Sequence, residues 1–175
     1  MRRLLLAAAL IASPALATLA PGAKAPTFTA QGAVAGKPFT VDLAAQLKKG
    51  PVVLYFFPAA FTGGCNAEAH AFADAVTDFQ QAHATVIGVT AGNVDKLQAF
   101  SAEKCAGKFA VAAATPAIVK AYDVSLGRTT PMGDITSRTS YVIGRDGRVA
   151  FVHSDMNPAE HVQLTLAAVR KLAPK

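Results

Sequence analysis

Cysteine is scarce in this chain. Cys65 and Cys105 are the only two in 175 residues, and no Cys-x-x-Cys occurs. That excludes a paired redox dithiol and a thiolate zinc pair. Histidine is scarce too. His70, His83, His153 and His161 stand apart without ligand spacing, so no metal site is expected and the rings are read as surface or packing residues. Charged residues make up 16% of the chain. The formal net charge is +6, but Arg2 and Arg3 lie in a leader-like start and the other basic residues are scattered. This describes a solvated surface, and no nucleic-acid partner is expected. Beyond the first twenty residues no apolar run approaches the roughly 20 residues needed to span a bilayer. Internal repeats are absent.

What is present is 52% hydrophobic and includes ten Phe, enough for one globular domain with a full core. The start reads as a secretory signal. Arg2-Arg3 are followed by an apolar stretch, Leu4–Ala12, then by Pro14 and the small-x-small site Ala15-Leu16-Ala17. The expected organisation is a cleaved signal over 1–17, a linker over 18–26 and a single domain over 27–175. Export follows from this, with no stable membrane insertion once the leader is removed. Both cysteines would then meet an oxidising compartment.

The chain is built around residues 52–79. Val52-Val53-Leu54-Tyr55-Phe56-Phe57 has the length and composition of one buried strand. Pro58 ends it, and a loop closing on Gly63-Gly64 leads straight to Cys65. Phe72, Val76 and Phe79 then recur at helical spacing, predicting a helix with one face inward. A thiol in the first turn of that helix lies where unpaired N–H groups and the helix dipole favour an anion.

Around this unit, short strands at 28–29 and 39–41 join through Gly36-Lys37-Pro38, and Asp42–Lys49 forms a short helix closed by Gly50. Thr85–Thr90 is a second buried strand. Asn93 is expected to cap a helix running to about Cys105. Phe109–Ala113 is a third strand, and Thr115-Pro116 opens a helix to Tyr122. Residues 123–137 lack periodicity and read as a long loop. Asp146-Gly147 marks a hairpin between Arg138–Ile143 and Arg148–His153. Asn157-Pro158-Ala159-Glu160 resembles a capping box, opening a helix striped by Val162, Leu166, Val169 and Leu172. The alternation of strands and helices requires a parallel centre, and the hairpin adds an antiparallel edge. The expected fold is α/β, with a mixed central sheet and helices on both faces.

Pro58-x-x-x-Thr62-x-x-Cys65 matches the active-site pattern of the peroxiredoxins, thiol peroxidases with a thioredoxin-like fold. The surrounding LYFFPAAFTGGCNAEAHAF resembles the peroxiredoxin Q, or bacterioferritin-comigratory, branch. Arg138 in RTSYVIGRDG falls where that family's active-site Arg opens a late strand. The likeness covers about residues 20–155. It implies reduction of hydrogen peroxide and small organic hydroperoxides, a thioredoxin-like or other thiol reductant, no cofactor, and a periplasmic setting for an exported form.

The chemistry needs a thiolate, since a free Cys of pKa about 8.5 is only a few per cent ionised at pH 7. Full ionisation gains at most about 30-fold, or about 2 kcal/mol. Held geometry and donors for the leaving oxygen must supply the rest. The resemblance assigns attack to Cys65 and those tasks to Thr62, Arg138 and the Gly64 and Cys65 amides, with Pro58 shaping the pocket and Glu68 orienting Arg138. Thr62 is equally a plain N-cap, and Glu68 a plain first-turn acid.

Two positions depart from the branch. Gly63 replaces a frequent Pro. His70 stands where many relatives carry a resolving Cys, which leaves Cys105 as the resolving candidate. About twelve helical residues, or about 18 Å, would separate the two thiols, against the roughly 7 Å Cα limit of a disulfide. Both helix ends are therefore expected to unwind before the bond forms. An outside thiol resolving the sulfenic acid stays open, as do a thiol–disulfide oxidoreductase on the same fold and a non-catalytic domain with a permanent disulfide.

Overall fold

The computed structural model describes residues 18–172. The leader expected over 1–17 lies outside them. The chain forms strands β1 (Thr29–Val34), β2 (Lys37–Asp42), β3 (Val52–Phe56), β4 (Thr85–Thr90), β5 (Ala110–Ala113), β6 (Ser125–Thr130), β7 (Gly133–Thr136), β8 (Thr139–Ile143) and β9 (Val149–Ser154). The α-helices are α1 (Leu43–Lys49), α2 (Gly63–Asp74), α3 (Val76–Gln81), α4 (Leu97–Glu103), α5 (Pro116–Ala121) and α6 (His161–Leu172). Seven strands make one sheet in the order β2-β1-β5-β4-β3-β8-β9. Its centre, β5-β4-β3, is parallel, and antiparallel hairpins close both edges. This is the mixed α/β fold expected.

Every residue of β3 is buried, because helices cover both of its faces. Val53, Tyr55 and Phe57 point into one core with Phe72, Phe79, Phe100, Leu166 and Val169, from α2, α3, α4 and α6. Val52, Leu54 and Phe56 point into the other, with Leu43, Leu47, Ile118 and Tyr122. The aromatics stack across the first core: Tyr55 lies 4.4 Å from Phe72 and Phe57 5.3 Å from Phe100, between ring centroids. Such pairs add about 0.5–1.5 kcal/mol each beyond area burial. They also fix β3 against α2 and α4, and hence the loop between β3 and α2.

The local chemistry explains most boundaries. Asp42 caps α1 through Ala45 N at 3.0 Å, and Thr115 caps α5 through Ile118 N at 3.3 Å with Pro116 following it. Several expectations need correction. Residues 123–137 are no simple loop, since β6 and β7 form a separate two-stranded ribbon. β6 is largely solvent-facing, and the four residues of β7 are two half-buried, one exposed and one buried, so neither strand shows a period-two signal. The helix after Cys65 is interrupted at Ala75 (φ −86°, ψ 0°), although Phe72, Val76 and Phe79 are all buried.

Asn93 does not cap. It sits in the left-handed region at φ 53°, a conformation Asn tolerates, and its amide donates to Ala60 O at 2.7 Å. A single 3-10 turn, Val94–Lys96, then leads into a seven-residue α4. The capping box does not close either, because Asn157 N donates to Asp155 Oδ1 at 2.8 Å instead of meeting Glu160. The segment read as a linker is docked on β9: Gly22 N donates to Val149 O at 2.7 Å and Ala25 N to Gly147 O at 2.9 Å.

Candidate active site

Cys65 is the third residue of α2 and is buried. Thr62 holds the N-cap position (φ −98°, ψ 152°) without capping. Its hydroxyl donates to Ala59 O at 3.1 Å, so its proton is committed and its lone pairs are free to accept. The first intrahelical bond runs from Asn66 N to Thr62 O at 2.8 Å. The amides of Gly63, Gly64 and Cys65 therefore have no partner inside the helix, and point where an anion would sit.

The loop before α2 is pinned from β4. Thr90 Oγ1 donates to Pro58 O at 3.1 Å, and Ala60 N donates to Gly92 O at 3.3 Å. Thr136 Oγ1 donates to Phe57 O at 2.9 Å. Gly92 must be glycine, since a Cβ there would stand 2.6 Å from both Ala59 Cβ and Pro58 O. Phe61 holds φ at 63°, a left-handed conformation that is costly for an aromatic residue. Its ring is edge-on to Phe100 at 5.4 Å, which supplies packing to hold it there.

Arg138, directly before β8, is 4% exposed. Its Nε donates to Met156 O at 2.9 Å, one terminal nitrogen pairs with Glu68 Oε2, and the other lies 3.5 Å from Cys65 Sγ. Gly64 makes room for it, because a Cβ there would sit 3.1 Å from that last nitrogen. A guanidinium has five N–H donors; with three directed in this way, two are left for a ligand on the sulfur. Glu68 is buried, and its loss of hydration pushes its carboxyl up to about 7 against the opposing pull of Arg138.

The structure thus gathers Pro58, Thr62, Gly64, Cys65, Glu68 and Arg138 at one end of the sheet. Cys105 is elsewhere. It lies in the turn after α4, fully buried and free, as Cys65 is free. Burial pushes its thiol far above the ordinary range. Lys108 Nζ, from the same turn, donates to Ala73 O at 2.9 Å, near the far end of α2.

Two residues of this region escape a linear reading. Tyr55, on β3, buries a hydroxyl that has no hydrogen-bond partner among the described residues and rests against Gly88, where a Cβ would meet it at 2.8 Å. His161, at the start of α6, is fully buried behind Glu68, with Nδ1 3.7 Å from Oε1. His70 and His83 are exposed and His153 half-buried.

The AhpC/TSA family model matches residues 21–152. A chloroplastic peroxiredoxin Q from Sedum lineare is 28% identical over 152 residues, which is 86% of this chain and 78% of that protein. Peroxidoxin BcpB from Mycobacterium tuberculosis superposes with a TM-score of 0.76 at 28% identity, over 89% of this chain and 99% of that one. A peroxiredoxin Q variant from Xylella fastidiosa shares the fold with a TM-score of 0.74 at 23% identity, over 90% of this chain and 99% of that one.

Proposed function

The chain belongs to the AhpC/TSA family, within its peroxiredoxin Q branch, and on that premise we propose that Cys65 is its peroxide-reacting thiol. The protein is a thiol-dependent peroxidase. The observation that carries the assignment to Cys65 is Arg138. Anchored through Glu68 and the Met156 carbonyl, it presents one nitrogen to Cys65 Sγ at 3.5 Å. In that frame Cys65 attacks one oxygen of hydrogen peroxide or a small organic hydroperoxide. Thr62 Oγ1 accepts from the bound peroxide, and the unbonded amides of Gly64 and Cys65 together with Arg138 receive the departing charge. Pro58 shapes the pocket and Glu68 holds Arg138.

The sulfenic acid formed on Cys65 condenses with Cys105, and a thioredoxin-like thiol donor reduces the disulfide. The buried position of Cys105 requires the turn after α4 to open first. The leader-like start supports export to the periplasm.

Rapid mixing of the reduced protein with hydrogen peroxide, followed by intact mass and alkylation, tests this reading. The expected product has lost two hydrogens and both alkylatable thiols. Gain of one oxygen with Cys105 still alkylatable would replace Cys105 by an outside thiol. Oxidation no faster than that of a free thiol, or full activity in Cys65→Ser, would overturn the reading.

A further inference from the structure

Behind Arg138 lies a pair of ionisable groups, Glu68 and His161, whose shared titration is not used by peroxide reduction as described above. Glu68 Oε1 is buried and has no hydrogen-bond partner among the described residues. The ring atom opposite it, His161 Nδ1, lies 3.7 Å away, and both side chains are fully buried. The ring's other nitrogen fixes its tautomer. Nε2 is 2.9 Å from the Asp155 carbonyl, which can only accept, so Nε2 carries the hydrogen. In the neutral ring Nδ1 is then an acceptor, and the Ser140 hydroxyl at 2.8 Å donates to it. With Glu68 ionised and His161 neutral, Oε1 lies in a dry space without a donor, facing a ring nitrogen whose one lone pair already accepts from Ser140. One proton on the pair removes that deficit, carried either on Oε1 or on Nδ1 toward Oε1, with the Ser140 hydroxyl turning to suit.

We infer that Glu68 and His161 share a proton that they take up when Cys65 ionises and release when its sulfur is oxidised, so that the buried cluster of Cys65, Arg138, Glu68 and His161 keeps zero net charge. The inference rests on Cys65 being the reacting thiol. With Cys65 as a thiol, Arg138 and Glu68 cancel and His161 is neutral. With Cys65 as a thiolate, the sum is zero only if the pair holds a proton. Ionisation then relocates a proton within a dry site rather than adding an uncompensated charge.

In the reaction, a thiolate electron pair forms the S–O bond and the O–O bond breaks. Sulfur is oxidised by two electrons, and the second oxygen leaves as hydroxide, which takes a proton from solvent to become water. The pair returns its own proton to solvent, so charge balances. Burial pushing Glu68 up to about 7 and holding His161 down at about 4 places the proton mainly on the carboxyl side. The charged and titratable groups facing the pair are Arg138 before β8, Cys65 on α2, Tyr55 on β3, His153 on β9 with ring centroids 4.6 Å from His161, and Asp155 after β9.

Two substitutions should act in opposite directions. Glu68→Gln keeps the shape but removes the carboxylate that offsets Arg138, so Cys65 should hold its thiolate to lower pH. His161→Asn puts an amide N–H near Oε1, which stabilises the carboxylate, so the thiolate should be lost at higher pH. Each shift is expected to be about one pKa unit, a tenfold change in thiolate on the acid limb. In the Glu68→Gln background, His161→Asn should have no further effect.

The assay is the pH profile of Cys65 alkylation, site-resolved by mass spectrometry, beside the rate of oxidation by hydrogen peroxide. Should His161→Asn not fold, Ser140→Ala serves in its place. It frees Nδ1 to accept the Glu68 proton, and the expected shift is toward lower pH. Infrared difference spectra of reduced against oxidised protein should show a protonated carboxyl band in the reduced state that is missing in Glu68→Gln. Shifts of the same sign in Glu68→Gln and His161→Asn, or a His161→Asn shift that persists beside Gln at 68, would overturn the inference while fast oxidation upheld the peroxidase. Oxidation of the unmodified protein at a free-thiol rate would instead overturn both.

Discussion

Replacing Lys108 by Met should accelerate disulfide formation without changing the first reaction with peroxide. Cys105 is fully buried, and on the proposed route its turn leaves the core before it meets Cys65. Four backbone bonds hold that turn: Cys105 N and Lys104 N to Phe100 O at 3.2 and 2.9 Å, Gly107 N to Ser101 O at 2.9 Å, and Lys108 N to Cys105 O at 2.9 Å. The fifth tie is Lys108 Nζ to Ala73 O at 2.9 Å. At about 0.5–1.5 kcal/mol net per bond, opening costs about 3–7 kcal/mol, so the open turn is about 10⁻² to 10⁻⁵ populated.

Met keeps the aliphatic stem of Lys108 and deletes the tie to Ala73. Losing about 1 kcal/mol of that barrier should raise the open population, and with it the rate of disulfide formation, about fivefold. Opening also returns Cys105 to water and to ordinary thiol acidity, so the rate should climb with pH toward about 8.5. The chain has no Trp, so acid quench with alkylation and intact mass is the suitable readout. Unchanged disulfide formation in Lys108→Met, with the peroxide step intact, would refute opening through this turn.

Other consequences concern the site itself. Gly92→Ala sets a Cβ 2.6 Å from backbone and side-chain atoms of Pro58 and Ala59, so the loop before Cys65 must move; the peroxide rate should fall about 100-fold, and full activity at unchanged melting temperature would contradict the tight approach. Arg138→Lys keeps the charge but cannot serve Met156 O, Glu68 and Cys65 together, and should slow peroxide reduction about 10²–10³-fold, measured as a second-order rate constant. Glu68 and His161 also shape stability against pH. Glu68 rises to about 7 in the fold, a contribution complete below its unfolded value and lost as pH climbs through 7. His161 falls to about 4, so stability is lost as pH drops from about 6.5 toward 4. Between about 4.5 and 6.5 both states hold one proton on this pair and its slope vanishes. Denaturant titrations across pH should show that plateau, and Glu68→Gln should turn it into a steady decline toward acid.

How far a sequence exposes such a site depends on how local each contact is. Pro58, Thr62 and Cys65 share one strand, loop and helix start, so their spacing alone carries the geometry. Arg138 reaches Cys65 from 73 positions away; no periodicity announces that contact, and only the likeness to a known pattern pointed to it. His161 was open to a different test. The buried positions of α6 are His161, Thr165, Leu166 and Val169, so the ring sits on an i, i+4, i+8 row with Thr165 and Val169. Counting only apolar residues shifted the expected stripe toward Val162 and the exposed Leu172. A histidine in register with a core stripe must bury its nitrogens, and buried nitrogens need partners. Here those partners come from two other places in the chain, Ser140 on β8 and the Asp155 carbonyl after β9, and Glu68 on α2 stands 3.7 Å from the ring. The charge balance at Cys65 is therefore set by packing between distant elements, and it can be altered from α6 without touching any residue of the Pro58-to-Cys65 segment.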